Sequence, residues 1–355
     1  MIYRRLLRPL LFSLPPETAH KLALSTFRFL PSAHPIESAR TAVHRFGLEF
    51  KNPVGLAAGF DKNAVVVDAL ERLGFGFIEV GTVTNEAQAG NPKPRIFRLP
   101  ADRALINRLG FNNQGAARVA DNLRRSTGDC RIGVNIGKSR RVPIDEAMAD
   151  YVASFEKIYE VADYVAINVS SPNTPNLREL QTPALLKELL NALQGKNSEL
   201  AGSKSPKPLV LKIAPDVTDE EIESIVEVAQ STQMAGMIAT NTTISRTGLQ
   251  ARPGNIEAFG EGGLSGAPLR DRSTKVISTI YRLTNGKLPI IGVGGVFTAE
   301  DAWQKICAGA GLIQLYTSFI YEGPRIAQRI NSGLDAILRR EGLASIDEAI
   351  GSALS

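Results

Sequence analysis

Short apolar runs recur along the chain at residues 54–58, 75–80, 132–136, 164–169, 209–213, 236–239, 288–293 and 312–316. Each is continuous and not alternating, which is how a strand buried on both faces reads. Between them lie helix-like segments near 62–73, 113–126, 145–161, 182–195, 218–231, 272–284, 298–308 and 324–340. Eight strands alternating with eight helices predict an α/β fold, a (β/α)8 TIM barrel, with a doubly wound open sheet as the alternative. Every run ends in polar or glycine-rich residues, as a barrel with its site at the strand C-termini requires. No repeat, low-complexity tract or linker divides the chain.

Ahead of this pattern, residues 1–13 and 17–30 read as two helices parted by Pro15 and Pro16. In the second, Ala19, Leu22, Ala23, Phe27 and Leu30 share one face. A small hairpin is predicted over 44–52, around Gly47. The expected division is therefore a two-helix extension, 1–42, and a barrel domain, 43–355. Charge follows the same division. Residues 1–50 carry seven basic and three acidic side chains, which leaves only +1 of the net +5 for the rest. No nucleic-acid partner is expected of such a body, whereas Arg4, Arg5 and Arg8 beside exposed apolar residues suit an anionic lipid surface. The two helices cap the barrel or lie on a membrane, and both can hold. No run approaches the ~18 apolar residues of a membrane span, and prolines break the first one too early for a signal peptide. A peripheral position on the cytoplasmic face of the cell membrane is expected.

The chemistry on offer is narrow. All three histidines, His20, His34 and His44, precede residue 45, so the body of the chain must work without imidazole. That excludes Ser-His-Asp and Cys-His catalysis there, along with the usual histidine metal sites; no metal is expected. Cys130 and Cys307 read as inert thiols. The strand ends, A-G-F-D-K-N (58–63), G-T-V-T (81–84), N-I-G-K-S (135–139), N-V-S-S-P-N (168–173), K-I-A-P-D (212–216), T-N-T-T (240–243), G-V-G-G (292–295) and Y-T-S (316–318), are rich in amides, hydroxyls, lysine and glycine. Such a ring suits a planar, amide-rich, anionic ligand. Gly294 and Gly295 after strand seven, with Tyr316 and Thr317 after strand eight, stand where barrels commonly bind phosphate. Lys62 and Lys212 call for anionic partners if buried. G-V-N-I-G-K-S (133–139) is one residue short of a P-loop.

At these strand ends the chain resembles the class 2, quinone-dependent dihydroorotate dehydrogenases of pyrimidine biosynthesis. The resemblance rests on N-P-V-G-L-A-A-G-F-D-K-N (52–63), I-N-R-L-G-F-N-N-Q-G (106–115), V-N-I-G-K-S (134–139), N-V-S-S-P-N-T-P-N-L-R (168–178), K-I-A-P-D (212–216), A-T-N-T-T (239–243), G-G-L-S-G-A-P-L (262–269) and P-I-I-G-V-G-G (289–295). It implies FMN as cofactor, held by Ala58, Gly59, Phe60, Asp61, Lys62, Thr82 and Asn135, and by Asn168, Lys212, Thr240, Gly266, Gly295, Tyr316 and Thr317. Dihydroorotate, and its product orotate, would meet Lys62, the run Asn107, Arg108, Leu109, Gly110 and Phe111, and the polar groups of Asn168, Asn173, Asn241 and Thr242. The family's base falls on Ser171, where class 1 relatives place a cysteine. His20, Arg98 and Tyr316 would line a pocket for a membrane quinone, entered past the N-terminal helices. Residues 88–92 and 244–261 read as variable and touch no motif.

The resemblance also implies how a serine can act as a base. The C5 proton of dihydroorotate is acidified by its carbonyl while hydride leaves C6, and Thr174 would help carry the proton away. A flavin-free phosphate-binding lyase or isomerase, a membrane-surface scaffold and an enzyme with a soluble acceptor are the rival readings.

Overall fold

The computed structural model describes residues 2–27, 29, 38–251 and 253–354. The first two strands form a hairpin, β1 (Val43–Arg45) against β2 (Leu48–Phe50), with Val43 paired to Phe50. Phe46 and Gly47 both turn at positive φ, 57° and 74°, as a two-residue hairpin loop requires. The barrel strands follow: β3 (Val54–Leu56), β4 (Phe77–Val83), then, beyond β5 (Ile96–Leu99) and β6 (Ala104–Asn107), β7 (Arg131–Ile136), β8 (Tyr164–Asn168), β9 (Leu209–Ile213) and β10 (Gly236–Ala239). After β11 (Gly263–Gly266) come β12 (Ile290–Val293) and β13 (Leu312–Leu315). The eight close in chain order through parallel pairs, the last strand returning to the first at Ile313 and Val54.

This is the barrel that the apolar runs predict, with each run buried on both faces. The hairpin plugs its N-terminal end. Phe50 meets Phe77 edge-on at 5.3 Å and Phe46 leans on Tyr164 at 6.3 Å, both partners being the first residues of their strands. Two of the surrounding helices, Asp219–Ser231 and Ala299–Cys307, start from full capping boxes at Thr218 and Thr298. The helix expected over 62–73 shrinks to Val67–Glu71, because Asp61 accepts the N–H groups of Val65 and Val66 and holds the preceding residues in turns.

Three strands were not foreseen. β5, β6 and β11 form a small antiparallel sheet, ordered β11-β6-β5, outside the barrel. It carries Asn107 at the end of β6 and Gly266 at the end of β11.

The N-terminal segment runs through a π-type stretch, Tyr3–Leu7, into α1 (Arg8–Ser13) and α2 (Pro16–Phe27). Leu30 and His34 lie outside the described residues. Helix α2 is tied to the start of the small sheet by Arg95, whose Nε donates to Glu17 at 2.9 Å. Tyr3 donates to the Ile320 carbonyl at 2.6 Å, Arg8 to that of Tyr321 at 3.2 Å, and Arg4 pairs with Glu322. Two of the three arginines expected to face lipid are thus engaged with the barrel. Among the described residues no helix is long and apolar enough to cross a membrane.

Close packing inside the barrel makes a test. A Cβ on Gly55 of β3 would stand 2.5 Å from Cε1 of Phe77. Gly55→Ala should therefore cost about 1–3 kcal/mol of stability by overpacking. Chemical denaturation checks it; an unchanged midpoint would show that the Phe77 ring has room to move.

Candidate active site

The C-terminal ends of the barrel strands and the small sheet enclose a cavity. Among its lining residues are Lys62, Thr82, Asn168, Ser171, Lys212, Asn241 and Tyr316. Its polar wall is one connected network. Asn168, the last residue of β8, donates from Nδ2 to Thr82 Oγ1 at 2.9 Å and to Asn135 Oδ1 at 3.2 Å. Its Oδ1 accepts from Asn241 at 3.2 Å and from the Ser170 hydroxyl at 3.0 Å. Asn241 also donates to Ser170 Oγ at 2.9 Å, and Tyr151 fixes the Asn168 carbonyl at 2.7 Å. With its partners spoken for, each amide is held in one orientation.

Beneath this ring lies a residue that the strand-end motifs do not mark. Glu79, in the middle of β4, has no solvent exposure. Its Oε1 accepts from Asn135 at 2.8 Å and from the Lys212 ammonium at 3.2 Å; its Oε2 accepts from Gln314 at 2.7 Å and from the Tyr164 hydroxyl at 3.3 Å. The signal was present in the sequence as a single acid inside the apolar run F-I-E-V-G. Burial, and then the Glu79 charge, hold the Tyr164 phenol well above its usual range, so it stays a donor.

The loop after β8 carries Ser171, 4% exposed, whose Oγ accepts the Asn173 N–H at 3.2 Å. Asn173 reaches across to Asn107 at 3.4 Å. The Thr174 hydroxyl is buried and finds no protein partner. On the far side, Gly266, Gly294 and Gly295 present backbone at positive φ beside Thr317, which shares a 2.8 Å hydrogen bond with Ser265. A Cβ on Gly295 would stand 2.6 Å from the Arg270 Cα, so only glycine leaves this stretch bare.

Most of the expected site residues line the cavity: Ser171, the cofactor set except Phe60, Asp61 and Asn135, and the substrate set except Arg108. Asn135 is fully buried one layer below, between Thr82 and Glu79. Asp61 is spent on backbone N–H groups, and Phe60 faces a second cavity. Arg108 turns the other way, over the Phe97 ring and towards the carbonyls of Pro94 and Phe259. The stretches 88–92 and 244–261 both touch the motifs, the second through Arg246, which donates to the Gly262 carbonyl at 2.6 Å. Gln88 donates to the carbonyls of Gly110 and Phe111, and Asn91 to those of Arg108 and Asn173.

The second cavity, of about 400 Å³, lies between α1, α2 and the barrel mouth. It is walled by apolar residues such as Leu11, Ala23 and Phe319, together with His20, Arg98 and Tyr316. Gly59, Lys62 and Tyr316 belong to both cavities and form the partition. Arg98 is pinned by donation to the carbonyls of Phe12 and Leu14, at 3.1 and 2.8 Å. Burial, with the Arg95 charge adding to it, pulls the Lys62 ammonium down to about 8. Burial likewise raises Tyr316 to about 12.

A family model described as dihydroorotate dehydrogenase matches residues 40–338. The chain belongs to the dihydroorotate dehydrogenase family. A relative in the family from Gloeobacter violaceus, named dihydroorotate dehydrogenase (quinone), is 50% identical over 360 residues, which cover 99% of each chain. One of the same name from Roseiflexus is 50% identical over 357 residues, 98% of this chain and 97% of its own. The crystal structure of DHODH from Eimeria tenella in complex with ferulenol superposes with a TM-score of 0.89 at 41% identity, over 95% of each chain. The ligand-free structure from Eimeria tenella gives 0.88 at 42% identity, over 95% of this chain and 99% of its own.

The apolar cavity makes a pH test. Burial, reinforced by the Lys62 charge, lowers His20 to about 4, against 6.5 for an ordinary histidine. Between those values the unfolded chain binds a proton that the native one refuses. Stability is therefore lost as pH falls from about 6.5 towards 4. His20→Leu should flatten that part of the acid limb, read as denaturation midpoints at several pH values. An unaltered slope would assign the loss to other groups.

Proposed function

We propose that the protein oxidises dihydroorotate to orotate with FMN as its cofactor and a membrane quinone as the electron acceptor. The observation that carries this reading is the pair of cavities, one with an amide ring along its wall and one strongly apolar, which share Gly59, Lys62 and Tyr316. A flavin fits the first. Bare backbone at Gly266, Gly294 and Gly295 suits a phosphate, and Lys212 and Thr82 suit the polar edge of a planar ring. Gln314, on the same wall, has an Oε1 with no protein partner, which an N–H of a heterocycle would satisfy.

When bound, FMN supplies the acceptor for the hydride that leaves C6 of dihydroorotate. The chain's own residues supply the rest. Ser171 takes the C5 proton, and the unpartnered Thr174 hydroxyl gives that proton a next stop. Asn107, Asn173 and Asn241 hold the substrate amides in register, and Lys62 meets its carboxylate. Lys212 offsets the negative charge that arrives with the hydride. The exposed Ile2 and Leu6, with Leu10 and Leu22 exposed along the lining of the apolar cavity, are read as the surface that meets lipid and admits the quinone.

Purified protein should be yellow, and the flavin absorption should bleach when dihydroorotate is added without oxygen; a colourless protein that cannot take up FMN would sink the reading. Ser171→Ala should keep the flavin and slow bleaching by ~10²–10⁴, the usual worth of a general base. Ser170→Ala should chiefly weaken dihydroorotate binding, since Ser170 braces Asn168 and Asn241. Equal rate losses in the two variants would refute the choice of base.

The acceptor side is tested separately. Ala23→Trp, which fills the apolar cavity, should leave bleaching by dihydroorotate near normal and slow reoxidation by a long-chain quinone at least tenfold. Stopped-flow measurement of the two half-reactions checks it, and unimpaired reoxidation would place the quinone elsewhere.

A further inference from the structure

The Glu79 carboxylate lies fully buried beneath the cavity floor, and the proposed chemistry does not use it. Its surroundings are built for a carboxylate. All four groups facing it are donors: the Lys212 ammonium, the amides of Asn135 and Gln314, and the Tyr164 hydroxyl, on β9, β7, β13 and β8. A protonated carboxyl would have to aim its own proton at one of them. Lys212, 5% exposed, forms its ion pair with Glu79 while also lining the cavity. Its charge is thus shared between a fixed anion below and whatever occupies the cavity above.

We propose, on the basis of the flavin reading above, that Glu79 is a positioning residue: it holds the Lys212 ammonium at the cofactor and partly cancels its charge, keeping the reduction potential of the bound flavin low enough to pass electrons to a quinone. Reduction brings negative charge to the cavity. A cation at its edge favours that step, and an anion 3.2 Å behind the cation opposes it. Removing the anion and keeping the cation should make the flavin easier to reduce and slower to give electrons up. Removing the cation should do the reverse. The Glu79 carboxylate would then lose the ion-pair partner through which it reaches the cofactor.

The experiment measures the potential of the FMN-loaded protein against a redox indicator dye. Glu79→Gln should shift the reduction equilibrium at least tenfold towards the reduced flavin, about 30 mV for a two-electron couple. Lys212→Met should shift it the other way. Adding Glu79→Gln to Lys212→Met should change the equilibrium less than threefold, because without the ammonium Glu79 has no cation to hold at the cofactor. A flavin-loaded Glu79→Gln protein within twofold of the unaltered one overturns the proposal alone. Failure of the unaltered chain to take up FMN would overturn the functional reading with it. Should Glu79→Gln not fold, the charge-free double variant against Lys212→Met decides. A difference under threefold supports action through Lys212, and a tenfold one overturns it.

Discussion

Inside a closed barrel a carboxylate has no water to turn to, and it is tolerable only if protein donors surround it. Glu79 meets that condition with groups from four other strands. Loss of one member of such a pair commonly costs ~3–5 kcal/mol, so the arrangement is held firmly. Its consequences run upward. With its amide nitrogen fixed on Glu79, Asn135 must present its oxygen to Thr82 and Asn168. That fixes the Asn168 amide, which in turn fixes Asn241 and Ser170. The orientation of the whole polar ring is inherited from one charge at its base.

The barrel itself was legible because its strands are buried on both faces and so write continuous apolar runs. The small sheet was not. Its strands are four residues each, and β11 reads G-L-S-G, which has the composition of a loop. Pairing with β6 overrides that composition, with Gly263 opposite Asn107 and Gly266 opposite Ala104. Within the site, motifs located the strand ends well but could not say which way each side chain turns. Arg108 sits between two cavity-lining neighbours and points away, as alternation along an extended chain allows. Phe60 and Asp61 belong to the same motif as Gly59 and Lys62 yet serve the second cavity and a turn. Glu79 escaped notice for a different reason: a lone acid in an apolar run is visible, but its partners lie 56 to 235 residues away in sequence.

The roles proposed for the two cavities set opposite physical demands. A site that moves a proton and a hydride needs fixed dipoles and charges aimed at the reacting atoms. A site for a lipid-soluble acceptor needs apolar surface and little charge. The partition satisfies both with groups that face two ways. Tyr316, kept neutral by burial, offers a ring to each side, and Lys62 is shifted towards neutrality by the same desolvation. On the apolar side His20 is uncharged over the ordinary pH range and packs edge-on against Phe60 at 5.0 Å.

Chemical separation does not mean mechanical independence. Glu17 on α2 holds Arg95, and Arg95 donates from Nη1 to the carbonyls of Ala89 and Asn91 at 2.7 and 2.9 Å. Asn91 in turn reaches the carbonyls of Arg108 and Asn173, on the two segments that bring Asn107 and Ser171 to the cavity. The helices that roof the apolar cavity are therefore joined, through one arginine and one asparagine, to the loop that carries Ser171. Helix α2 is thus part of the scaffold of both cavities.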